Sequence, residues 1–162
     1  MAATDIVADI LAAVVEALGS TETTPVTGTG APTNFREWTR PGFEGAGDRH
    51  FEVELTGMDE HGNTGTDNAT VYVDAYLTLL VRMKFRNEGK PKSVFHGYVA
   101  KDVRTIQDRV QNHLRNIDGA TPAGVKECRT NGEARIVAGD DPIITLAEVP
   151  FLVEYSDTAK TA

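Results

Sequence analysis

The side chains that could do chemistry are few and scattered: His50, His61, His96 and His113, the single Cys128, and 24 acidic residues set against 16 basic ones. A metal site on a helix wants two histidines at i and i+4, so that both imidazoles share one face, and no two of the four stand so. Only His113 falls on a predicted helix, off its apolar stripe, and it is expected to be a solvated side chain. Cys128 lies near a predicted turn with no base beside it, which suits a buried or idle thiol better than a nucleophile. Glycines 28, 30, 42, 45 and 47 are not framed by a strand before and a helix after, and no Gly-Lys-Ser/Thr follows, so they form neither a phosphate cradle nor a dinucleotide fingerprint. Asp59-Glu60-His61-Gly62-Asn63 has the opening letters of a calcium loop but lacks its acid spacing and closing Glu. Residues 62–67 hold a single β-roll-like fragment that has nothing to stack on. The segment reads as a polar hairpin turn. No catalytic, cofactor-binding or metal-binding residue is expected, and the chain is read as a non-enzyme without cofactor. Two carboxylates meeting in space, as in a small hydrolase, stay open as an alternative. So does a monomeric ligand-binding module, which would need an enclosed apolar pocket.

Charge narrows the partners. The formal net charge is −8, which repels polyanions unless it is segregated. Residues 1–60 hold most of the excess acid, including Glu52, Glu54, Asp59 and Glu60, while Arg82, Lys84, Arg86, Lys90 and Lys92 make the middle mildly basic. Such a split is either an ordinary solvated surface or a head-to-tail complementarity between identical subunits. Arg82, Lys84 and Arg86 alternate along one face of a long predicted strand, with Tyr72 and Tyr76 nearer its start. Basic and aromatic residues together can hold single-stranded nucleic acid, but in so acidic a chain a solvated or subunit-facing surface is the better reading. One cysteine allows no intrachain disulfide and fits a reducing cytoplasm. The first residues lack the positive region of a signal peptide, and no run approaches the ~18 uninterrupted apolar residues of a membrane span.

The elements that must position these residues follow from periodicity. The 162 residues suit one domain, placed at 1–156 with a flexible connection at about 19–50 and a frayed tail at 157–162. Ile6, Val7, Ile10, Leu11, Val14, Val15 and Leu18 recur at helical spacing, with Thr4 as the expected N-cap and Gly19 as the expected left-handed end. Thr, Gly, Ser and Pro dominate 19–32, after which Phe35 and Trp38 are expected to anchor the connection. Phe51, Val53 and Leu55 alternate with Glu52, Glu54 and Thr56. Beyond the polar 59–68 turn, strict alternation from Val71 to Arg86 puts Ala75, Leu77, Leu79, Val81, Met83 and Phe85 on one side. Two such strands make an antiparallel hairpin. A second helix is predicted over 101–116 with Val103, Ile106, Val110, Leu114 and Ile117 inward, then a small hairpin around Asn131-Gly132 between 126–130 and 133–138. The last strand, 143–155, is apolar on both faces, and Pro150 in it marks an edge or a bulge. The class is α+β: a mostly antiparallel β-sheet with a long hairpin, packed by an N-terminal helix and a second helix.

This order, closing on Ile-Thr-Leu-Ala-Glu-Val-Pro-Phe-Leu-Val-Glu-Tyr (144–155), resembles the tail terminator proteins of long-tailed bacteriophages, also called tail completion or minor tail proteins. The 19–50 connection is longer than the family's pattern. The resemblance implies a homo-oligomeric ring, usually hexameric, that caps the tail tube, ends its polymerisation and joins it to the head connector. It implies tail-tube and connector proteins as partners, DNA only as cargo passing through the lumen, and a place in the virion tail or neck after assembly in the host cytoplasm. A tail-tube or head–tail connector subunit is the nearest alternative. Under this resemblance Asp59, Glu60, Asp67, Tyr72, Tyr76, Arg82, Lys84 and Arg86 are the expected contact residues.

Overall fold

A computed structural model describes residues 5–20, 35–37, 50–60, 62–64, 70–87, 89–115, 122, 124–138 and 144–157, with the backbone alone at 36, 62–64, 70–74, 138 and 157. Helix α1 spans Ile6–Gly19 and buries Ile6, Ile10, Ala13, Val14, Ala17 and Leu18. Asp5 caps it: its carboxylate accepts the Val7 N–H at 3.0 Å, satisfying one of the first-turn donors that have no partner inside the helix. The cap is therefore one residue later than the predicted Thr4, which lies outside the described residues. Gly19 is not left-handed; Ser20, at φ −98°, closes the helix by donating its N–H to Glu16 O. Its hydroxyl also donates to Ala17 O.

Helix α2 spans Lys92–Leu114 and starts well before the predicted residue 101. Phe95 and Val99 prolong the stripe of Val103, Ile106 and Val110 by two more turns at i−4 spacing, and both are buried. Gly97 and the polar residues around it mask that continuation in the sequence. His113 is also corrected: it is 4% exposed, not solvated. A helix lying on a sheet buries a band broader than its apolar stripe, and His113 sits three residues from Val110 inside that band. Ile117 lies outside the described residues.

Strands β1 (Arg36–Glu37), β2 (His50–Asp59), β3 (Gly62–Thr64), β4 (Thr70–Arg86), β5 (Val125–Thr130), β6 (Arg135–Ala138) and β7 (Ile144–Asp157) form one sheet. The order is β1-β2-β4-β7-β5, with β3 also on β4 and β6 also on β7. Every pairing is antiparallel except the short β1–β2 contact. The predicted long hairpin is present: β2 and then β3 run against β4, with a bulge at Thr56 between the Leu55 and Gly57 rungs.

The predicted small hairpin is not. Both β5 and β6 pair with β7, in one direction, with an excursion at 131–134 between them. Gly132 does take the left-handed conformation, at φ 92°, but it makes a bulge instead of a reversal. The reason lies opposite. Pro150 accepts the Asn131 N–H at 3.0 Å yet has no N–H to return, so the ladder breaks there and resumes at Arg135. A long apolar strand also offers β6 more pairing than four-residue β5–β6 contact could.

One face of the sheet carries Ala75, Leu77, Leu79, Val81, Met83 and Phe85 of β4 and Ala147, Val149, Phe151, Val153 and Tyr155 of β7, all buried. Both helices close this face into a single core, which Phe35 joins as its predicted anchor. Trp38 lies outside the described residues.

Candidate interaction surface

Strand alternation that turns eleven apolar side chains toward the helices turns the residues between them toward the opposite face. Tyr76, Thr78, Leu80, Arg82 and Lys84 of β4 and Leu146, Glu148, Pro150, Leu152 and Glu154 of β7 stand there half-buried, shielded by one another and by no described helix. Glu52, Glu54 and Asp59 flank them on β2, and Glu127, Arg129 and Arg135 on β5 and β6.

Arg82 is the centre of this face. Its guanidinium lies 3.3 Å from Glu52, 3.2 Å from Glu54 and 3.5 Å from Glu148. Glu52 and Glu148 are its direct cross-strand neighbours on either side, and Glu54 is a diagonal one. Partial burial alone would lower the Arg82 pKa, but the Glu52 hydrogen bond and the charges of Glu54 and Glu148 outweigh it, and the net shift is upward. The clasp links β2, β4 and β7 across the exposed face. It also replaces the expected basic stripe: three carboxylates around one guanidinium leave this region acidic, the wrong sign for a nucleic-acid groove.

The other predicted contact residues fall as follows. Asp59 is opposite Tyr76 on the same face. Glu60 follows β2 directly, and Lys84 and Arg86 continue along β4 toward its far end. From Tyr76 to Arg86 the strand covers about 33 Å at its normal rise, so these residues make a band and not a cluster. Tyr72 pairs through its backbone with Gly62 and Asp157; its side chain, and Asp67 altogether, lie outside the described residues. Sequence reasoning missed Glu148, whose approach to Arg82 depends on the β4–β7 register.

Elsewhere the site chemistry is quiet. Cys128 is fully buried on β5, and burial pushes its thiol up to about 12, with the Arg115 charge pulling the other way. Arg115 in turn reaches Glu127 at 3.8 Å, tying the end of α2 to β5. Among the described residues no three His, Cys, Asp or Glu side chains gather to hold a metal ion. A shallow dip on the exposed face is lined by Tyr76, Glu127, Arg129, Leu152 and Glu154.

No known family profile matches the chain, and no curated protein matches it either. Among solved structures it is similar to a chain described as "Virion of native gene transfer agent (GTA) particle", at 12% identity and a TM-score of 0.55, over 94% of this chain and 98% of that one. A virion component has this fold. The likeness runs nearly end to end in both chains.

Proposed function

We propose that the chain is a structural protein of a phage-like virion that forms a ring capping the tail tube, ends its polymerisation and joins it to the head connector. The near full-length fold likeness to a virion chain supports this reading, and the sheet face that no described helix covers gives such a subunit a broad surface to present. On this proposal residues 1–156 act as one assembly unit without catalytic role, and the band from Asp59 and Glu60 through Tyr76 to Lys84 and Arg86 faces partners. Arg82 serves instead inside the subunit, holding that face together.

The test uses purified full-length protein, light scattering over a wide concentration range, and negative-stain images after mixing with tail tubes. Closed rings seated on tube ends support the terminator. Open-ended self-stacking into tubes would select a tube subunit instead, and rings bound only to connectors would select a connector. Absence of any tube or connector binding would sink the virion reading.

A further inference from the structure

The two edges of the sheet are unlike, and they complement each other. β1 covers only the first two residues of β2; no other described strand lies along the outer edge of Val53–Met58. The opposite edge is β5 with β6. An open edge presents main-chain donors and acceptors to any incoming strand, and proteins usually cover or charge it. Here both edges also leave a large apolar side chain in water on the helix side of the sheet. Met58, opposite Leu77, and Ile136, opposite Ala147, are each 48% exposed.

On the other side of the sheet the charges are opposite in sign. Glu54 and Asp59 stand on the β2 edge, and Arg135 and Arg129 on the β5–β6 edge. Their spacing matches. Glu54 and Asp59 face Leu80 and Tyr76, four residues apart on β4; Arg135 and Arg129 face Glu148 and Leu152, four residues apart on β7. Both edges also take up extra residues between those rungs, at Thr56 and at 131–134. Since each successive pair from β2 through β4 and β7 to β5 and β6 is antiparallel, a second copy in the same orientation brings its β5–β6 edge antiparallel to β2.

We propose that the β2 edge binds the β5–β6 edge of a second copy of this chain, continuing the sheet between subunits with Glu54 facing Arg135 and Val53 facing Ile136. This contact joins two different patches, so it propagates head to tail and closes into a ring where the rotation allows. Strand addition supplies main-chain hydrogen bonds, and the alternating side chains supply register. The inference rests on the ring reading above and names the surface that reading leaves open.

The test is made on the full-length chain. Glu54→Arg and Arg135→Glu are each expected to raise the concentration for half-assembly about tenfold, and the double charge swap to recover most of it. Met58→Lys and Ile136→Lys should weaken assembly alike while leaving thermal unfolding of the monomer unchanged. This pair guards against Glu54→Arg acting through the Arg82 clasp. Glu54→Cys mixed with Arg135→Cys should give an oxidised cross-linked dimer that neither variant gives alone, since Cys128 is buried and its thiol stays protonated. Assembly unaffected by all four single variants, or no cross-link in assembled mixtures, overturns the edge contact but leaves tube capping standing. A wild-type chain that never self-associates also overturns it, while the tube-capping images judge the ring reading separately.

Discussion

Arg82 looks in the sequence like a surface cation, yet three glutamates neutralise it within the subunit. Replacing it by Glu would set four carboxylates together on adjoining strands. Arg82→Glu is therefore expected to lower the urea-unfolding free energy by about 2 kcal/mol, between the small worth of an exposed pair and the larger cost of breaking a buried one. Arg86→Glu, at an exposed position, should change it by less than about 0.5 kcal/mol. Equal effects would mean that the clasp contributes nothing. Any charge-reversal study of assembly that includes Arg82 reads monomer stability as well. Cys128 makes a second residue-scale case. Its thiol sits at about 12 in the fold against an ordinary 9.0, so between those values the native state holds a proton that the unfolded state has released. Its contribution to stability is then full below pH 9 and falls as pH rises from 9 toward 12. Urea titrations should show this alkaline loss, reduced in Cys128→Ala. Thiol labelling at neutral pH should be slow until urea unfolds the chain, and rapid labelling of native protein would contradict the burial.

Among the elements, α1 depends on a cap and the β5 edge on a glycine. Asp5→Ala removes the bond to Val7 N and should cost about 1 kcal/mol. Gly124 precedes β5 at φ 101°, and a Cβ there would stand 2.5 Å from Ser156 O and 2.7 Å from Ile6 Cδ1. Gly124→Ala must both strain the backbone and displace β7 or α1. A loss of about 2 kcal/mol or more in urea unfolding is expected, and a neutral effect would mean the loop relaxes freely. The elements were unevenly legible. In β4 the alternation was complete because one face meets the helices and the other meets water. The start of α2 was hidden because Gly97 and its polar neighbours dilute a stripe that only Phe95 and Val99 carry. Asn131-Gly132 signalled a local turn correctly, but a turn dipeptide specifies backbone conformation and not the strand on which its flanks pair.

At the scale of the molecule, the helix-bearing face is closed by a core, and among the described residues the opposite face carries half-buried side chains with no helix over them. The proposed assembly joins edges of opposite charge, so it should weaken with salt. Raising ionic strength from about 0.1 M to about 1 M shortens the Debye length from about 10 Å to about 3 Å, and the light-scattering mass at fixed protein concentration should fall. A mass that stays constant or rises would assign the association to apolar contact alone. The assembled state would then rest on Met58 and Ile136 more than on Glu54 and Arg135.

The sequence alone determined the two helices, the long hairpin, the inward face of β4, and the α+β class, because each is set by spacing within a single element, where periodicity of 3.6 or 2 is a local property. Only the tertiary structure decided who meets whom. Arg82 finds Glu52 and Glu148 across 30 and 66 residues of chain. His113 is buried because α2 lies on the sheet along a broad band. The segment 125–138 lies along β7 instead of folding on itself, because Pro150 interrupts the ladder where Asn131 and Gly132 bulge. These are choices among partners distant in the chain, and such choices depend on register, twist and the competition for a strand edge, none of which is written in a local pattern.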